Sequence, residues 1–161
     1  MSLLIRPAVP ADAPLIHSLV IDLATYEKMP DAVAATPDDL AAALFSPAPR
    51  VFCEIATWNG EPAGFALWYY SFSTWTGRHG LFLEDLFVRP EHRGRRIGKA
   101  LLATLARRCL DEGLTRFEWE VLDWNQPAID FYEAQKGVLM RGWIPVRLEG
   151  DALTQLAGSA P

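Results

Sequence analysis

The chain has 161 residues, half of them hydrophobic and 22% charged, with a formal net charge of −5. That length predicts one domain spanning residues 1–161, and the composition excludes disordered and fibrous classes. Nucleic-acid binders are expected to be basic, so no nucleic-acid partner is expected, and the acidic balance suits a cationic ligand.

Taken in chain order, Leu3 to Arg6 reads as a first strand. Asp12 caps a helix carrying Leu15, Ile16, Leu19, Leu23 and Tyr26 at helical spacing. Residues 29–35 form a loop. Thr36-Pro37-Asp38-Asp39 is a capping box ahead of a short helix to Phe45. Residues 51–57 form a strand, Asn59-Gly60 is a hairpin signal, and residues 63–72 return. A polar loop holding Trp75 leads to a long strand over 81–88. Residues 94–112 form a helix with Leu101, Leu102, Leu105 and Cys109 on one face, and Gly113 stops it. A strand follows over 117–123. Asn125 caps a helix with Ile129 and Tyr132 that ends at Gly137. Residues 143–148 read as a last strand, placed at an edge by Pro145, and 151–157 as a closing helix. Strand–helix–strand units after a hairpin predict an α/β (mixed α+β) fold, a twisted mixed sheet with helices on both faces.

Two cysteines, Cys53 and Cys109, are too few for a disulfide framework and sit in apolar patterns, which predicts buried free thiols in a reducing cytoplasm. The initial apolar run is too short for a signal peptide. The longest apolar stretch, residues 63–70, falls far below the ~18 residues of a membrane span. His17, His79 and His92 show no metal-ligand spacing, so no metal is expected.

Three segments carry chemistry. Arg93-Gly94-Arg95-Arg96-Ile97-Gly98-Lys99 lies between an apolar strand and an amphipathic helix. Glycines, four cations and a helix start with unpaired N–H groups make a phosphate cradle; the plainer reading is a solvated basic loop. It is neither a P-loop nor a dinucleotide fingerprint. Glu84-Asp85 interrupts an apolar strand, where adjacent acids are costly unless paired or solvated, and their side chains are expected on opposite faces. Asn125 sits at a strand-to-helix switch, where open α/β sheets bind ligands, and Tyr132 lies two turns into the helix. Taken singly, these two read as an ordinary cap and a core tyrosine.

Arg93-Gly94-x-x-Ile97-Gly98-x-Ala100-Leu101-Leu102 after Leu86-Phe87-Val88, followed by Asn125-x-Pro127-Ala128-x-x-Phe131-Tyr132, resembles the GNAT acetyltransferase family. Tyr26-Glu27, Trp75, residues 83–88 and Trp124-Asn125 resemble its diamine (spermidine/spermine) acetyltransferase branch. The resemblance implies a GNAT-like sheet of about six to seven strands and an acetyl-CoA-dependent N-acetyltransferase. It implies that the backbone of Gly94, Arg95, Arg96, Ile97, Gly98 and Lys99, with Arg93, holds the pyrophosphate. The pantetheine arm would pair with Leu86, Phe87 and Val88, and Asn125 would touch the donor from the other side. Glu84 would act on the amine through water, and Tyr132 would protonate the leaving thiolate. Tyr26, Glu27, Trp75, Glu118, Trp119 and Glu120 would line the site of a small amine.

Three positions depart from the pattern. Arg96 replaces the usual glycine of the phosphate loop; a helical residue there needs no special backbone. Val138 replaces a small residue after Gly137, a packing change. Ser73 replaces an acid of the polyamine enzymes, which favours short diamines or lysine-like amines over spermine. The family tendency is a homodimer, with residues 143–148 a place for pairing. Acetylation of a protein N-terminus or lysine, or an acyl-CoA-binding module without turnover, are the alternatives.

Overall fold

The computed structural model describes residues 2–160. Five strands form one sheet in chain order: β1 (Leu3–Pro7), β2 (Phe52–Trp58), β3 (Glu61–Ser73), β4 (Arg78–Val88) and β5 (Phe117–Trp119). The first three pairings are antiparallel and β4–β5 is parallel. The β2–β3 hairpin turns at Asn59 and Gly60, with φ of 52° and 87°. Positive φ at both positions is what a two-residue turn needs to match strand twist.

Helix α1 (Ala13–Tyr26) and helix α2 (Pro37–Phe45) cover one face. Ile16, Leu19 and Leu23 of α1 and Leu44 of α2 form a core with Cys53, Ile55, Phe65, Leu67 and Phe87. Each such buried side chain contributes roughly 1.5–3 kcal/mol. Helix α3 (Ile97–Asp111) packs on β3 and β4 and buries Ile97, Leu101, Leu102, Leu105 and Cys109. Arg108 of α3 lies 4.9 Å over the ring of Trp68, so α3 covers the face opposite Leu67. Both cysteines are free and buried.

Local signals and structure agree at α2, where Thr36 accepts from the Asp39 amide and Asp39 answers to the Thr36 amide. At α1 they differ. Asp12 holds the cap position but makes no cap bond to the helix. Its carboxylate instead takes two bonds from Arg6, at 2.6 and 2.9 Å, and one from the Val9 amide. A bidentate guanidinium is the stronger partner, and it holds Asp12 below the usual carboxylate range. At α3 the helix starts three residues later than the pattern suggests. Gly94 (φ 74°) and Arg96 (φ 62°) are left-handed, which excludes them from a right-handed helix.

The described residues fall into two compact units divided after Glu120, residues 2–120 and 121–160. The sheet and α1–α3 make the first. The second holds α4 (Gln126–Ala134) and α5 (Gly150–Ala157). The sheet therefore has five strands where six to seven were expected. The strand expected over 117–123 stops at Trp119, and residues 143–148 form none. A strand exists only through its partner, and no described segment pairs with 143–148. Pro145 also lacks an N–H for a ladder. Trp143, Ile144 and Val146 are left exposed.

Candidate active site

The β3–β4 ladder shifts register at one point. Leu67 lies opposite Asp85 and Trp68 opposite Leu83, which leaves Glu84 without a partner. Such a bulge re-aims side chains. Its effect shows on β4: Leu83 pairs with Trp68, on the α3 face, whereas Phe87 belongs to the core under α1 and α2. Asp85 follows the phase of Phe87, and Glu84 is exposed. The acid pair is thus split into a solvated carboxylate and a half-buried one.

Asp85 has no hydrogen bond or ion pair among the described residues. Burial, and then the charges of Glu84 and Glu27, push its carboxyl up to about 6. Glu27, at the end of α1, is also raised by burial. The Tyr69 hydroxyl is raised by burial and by Glu84 and Glu120. Glu27 and Glu84 thus act on Asp85, Glu84 and Glu120 act on Tyr69, and no cation is paired with any of these acids among the described residues. Asp85 and Tyr69 were not in the set read from the motifs. The acid pair was visible there, but which acid is buried depends on the bulge.

Strand β5 pairs with Leu81, Phe82 and Leu83 and ends at Trp119. On that side residues 84–88 of β4 have no strand partner among the described residues, so Leu86, Phe87 and Val88 leave an unpaired strand edge. Such an edge accepts an extended chain by backbone pairing. β4 then leads through a single 3-10 turn at Pro90–His92 to the Arg93–Lys99 loop. Gly94 has φ 74°, and a Cβ placed there would meet nothing within 4 Å. Arg96 occupies the cap position of α3 with φ 62° and ψ 16°, and no side chain caps the helix. The first ladder bond inside runs from the Ala100 amide to the Arg96 carbonyl, 3.0 Å. The amides of Ile97, Gly98 and Lys99 are left at the positive end of the helix dipole, as a phosphate requires. Arg96 corrects one expectation: it is not a helical residue but a left-handed one, where a β-carbon is strained and glycine is not.

The loop's cations are unequal. Arg93 donates from Nε to the Val88 carbonyl at 3.0 Å, and its guanidinium lies 4.6 Å over Tyr26 and 5.6 Å from Phe87. It ties the end of β4 to the aromatic end of α1. Arg95 lies 5.4 Å over Trp58. The side chains of Arg96 and Lys99 have no hydrogen-bond, ion-pair or ring partner among the described residues.

Of the remaining expected residues, Glu118 meets Arg116 at 3.8 Å and Trp119 packs edge-on to Phe117. Trp75, in the β3–β4 turn, is 83% exposed. Asn125 and Tyr132 belong to the second unit. There Asn125 caps α4, accepting from the Ala128 amide at 3.4 Å, and Tyr132 lies in α4 with its ring 5.3 Å from Phe131. A cavity of about 150 Å³ near Phe52, Glu54, Trp68 and Arg108 shares no residue with the acids or the phosphate loop. No group of His, Cys, Asp and Glu among the described residues is arranged to hold a metal. No helix among them is long and apolar enough to cross a membrane.

An unpaired strand edge leading to an uncapped helix start can take an extended arm and an anionic group side by side. Residues 16–137 match the acetyltransferase (GNAT) family, and the chain belongs to it, as an acetyl-CoA-dependent N-acetyltransferase. It is 39% identical over 168 aligned positions to thialysine N-epsilon-acetyltransferase of Sus scrofa, covering 98% of each chain. It is 30% identical to L-ornithine N5-acetyltransferase of Arabidopsis thaliana, covering 92% of this chain and 85% of that one. An integron cassette protein from the mobile metagenome of V. cholerae superposes with a TM-score of 0.82 at 29% identity over 99% of both chains.

Proposed function

We propose that the protein acetylates a primary amine of a small cationic substrate, a short diamine or a lysine-like amino acid, by direct attack in a ternary complex. The observation that carries this reading is the set of Glu27, Glu84 and Asp85 with Glu120, linked through Asp85 and Tyr69 and unpaired with any cation among the described residues. Uncompensated carboxylates around a partly desolvated point attract an ammonium. The names of the porcine and plant relatives, which act on thialysine and ornithine, support the same class.

The ammonium arrives with a pKa near ~10.4 and is no nucleophile until it loses a proton. Glu84, exposed beside Asp85, takes that proton through water and returns it to bulk solvent. Glu27, Asp85 and Glu120 hold the substrate's charge, and Tyr26, Trp75, Glu118 and Trp119 line its path. Acetyl-CoA, when bound, supplies a thioester whose carbonyl carbon forms the new bond to nitrogen as the bond to sulfur breaks. Leu86, Phe87 and Val88 pair with its extended arm through the open edge of β4. The backbone of Gly94, Arg95, Arg96, Ile97, Gly98 and Lys99 holds its pyrophosphate, with Arg93 bracing the loop and Asn125 contributing from α4. A backbone N–H near Leu86 stabilises the developing oxyanion. Tyr132 donates its proton to the leaving thiolate.

The reading extends to a single cytoplasmic domain that works without a metal, a nucleic acid or a membrane. It pairs as a homodimer through the exposed apolar residues Trp143, Ile144 and Val146. Thiol release from acetyl-CoA across a panel of amines tests the activity. Short diamines, ornithine and lysine analogues are expected to give higher kcat/KM than spermine. A spermine value above all shorter amines overturns the substrate class. Preference for peptide amines points to protein acetylation, and no release with any amine leaves only a binding module.

A further inference from the structure

A second buried acid lies on the face of the sheet opposite Asp85. Glu54 of β2 is two residues from Phe52, whose ring stacks on Trp68 at 4.6 Å, so it faces α3. It is 3% exposed, and burial raises its carboxyl. Its partners fall short of its needs. Arg108 reaches Oε1 at 3.3 Å, against ~2.7–2.9 Å for a good charge-assisted bond, and is shared with Glu112 at 3.0 Å. The Trp68 indole N–H acts on the same carboxylate but completes no hydrogen bond. One guanidinium thus serves two carboxylates, and the group keeps one negative charge in excess. Arg6, beside Pro7, is taken by Asp12. The cavity of about 150 Å³ adjoins Glu54. β1 stops at Pro7, opposite Glu54, and past that end Leu44 and Phe45 of α2 reach the cavity. They belong to the last turn of α2, which holds no basic residue and forms the negative end of a helix. Phe52, Trp68 and Tyr70 add aromatic walls, which attract cations.

We propose that this cavity binds a small alkylammonium ion, its nitrogen against Glu54 and its carbon chain against Phe45, Phe52 and Trp68. The ammonium supplies the donor and the charge that the buried carboxylate lacks, and the chain covers the apolar walls. An anion would meet the excess negative charge, and a neutral alcohol would leave it uncompensated. A cavity of this size holds about six heavy atoms, which sets the ligand at one amine on a short chain. The site shares no residue with Glu27, Glu84, Asp85 or Glu120. It is therefore a second cation site, across the sheet from the first, and it stands without the acetyl-transfer reading.

The test is titration of n-butylammonium, n-butanol and butyrate into the full chain, followed by proton–nitrogen NMR of the Trp68 indole N–H, whose signal is assigned with Trp68→Phe. The wild type, Glu54→Gln, Ala8→Leu and Asp85→Asn are compared. Butylammonium is expected to shift the Trp68 signal saturably in the wild type. Butanol, with the same chain and no charge, should bind at least about tenfold more weakly, the loss of one charge-assisted contact, and butyrate should not bind. Glu54→Gln, which keeps the shape and leaves Arg108 its bond to Glu112, should weaken butylammonium by the same factor. Ala8→Leu, which fills the cavity, should abolish the shift, and Asp85→Asn should keep it. No saturable shift in the wild type overturns the proposal and leaves a cavity that holds only solvent. Equal binding of butanol overturns the assignment to a cation. A response that survives Glu54→Gln but disappears in Asp85→Asn places the ammonium at the other acids and overturns the second site. Absence of acetyl transfer to any amine, with the Trp68 response intact, defeats the proposed activity and leaves this site standing.

Discussion

Asp85→Asn removes one charge from the β4 bulge and keeps the side chain's shape. Burial and the charges of Glu84 and Glu27 lift the Asp85 carboxyl from an ordinary 3.8 to about 6. The folded state therefore holds the proton more tightly than the unfolded state. Whatever Asp85 contributes is most favourable at low pH, and it is lost as pH rises from about 4 through about 6. A shift of about two pKa units corresponds to at most ~3 kcal/mol, and relaxation of the unfolded chain brings a realistic figure to about 1–3 kcal/mol. Asp85→Asn should thus be more stable than the wild type by that amount near pH ~7.5, and the gain should shrink toward zero near pH ~4. Urea unfolding at both pH values, read as a midpoint shift at constant m, measures it. The same variant should lose kcat/KM for the amine by about ten- to a hundredfold, since a charge facing the ammonium is gone. Lower stability near pH ~7.5, or a gain that does not depend on pH, would refute the reasoning. In the first case Asp85 is held by partners worth more than its desolvation, and in the second its charge is not the cause.

Gly98→Glu puts a carboxylate among the first-turn amides of α3 and should abolish measurable acetyl-CoA binding; calorimetry on the folded variant checks it, and an unchanged affinity would dismiss the phosphate site. Tyr132→Phe deletes one oxygen and keeps the ring. It is expected to lower kcat ~10²–10⁴-fold, the usual share of a general acid, with little change in acetyl-CoA affinity. A loss below about threefold at saturating amine, with circular dichroism unchanged, would reduce Tyr132 to packing.

The features that local sequence determines came through intact. Asn59-Gly60 requires only two positive φ angles, and Thr36 and Asp39 bond across a single turn, so a few residues specify each. The spacing of Leu101, Leu105 and Cys109 fixes which face of α3 is buried, because the helix period is a local property. The segment from Arg93 to Gly98 falls between a strand and a helix, as its pattern suggests, because a strand end and a helix start are also local features. Other features depend on residues far away in the chain. Asp12 reads as a cap until Arg6 is folded against it. Glu84 and Asp85 read as equals until the pairing with Leu67 and Trp68 inserts a bulge and buries one of them. Arg93 and Arg95 read as free cations until Tyr26 and Trp58 arrive beneath them. Residues 143–148 have strand composition, yet a strand requires a neighbour's N–H and C=O groups, which composition cannot supply. Arg96 is the sharpest case. Nothing in its side chain announces a left-handed backbone; that conformation is imposed by the junction between the end of β4 and the start of α3.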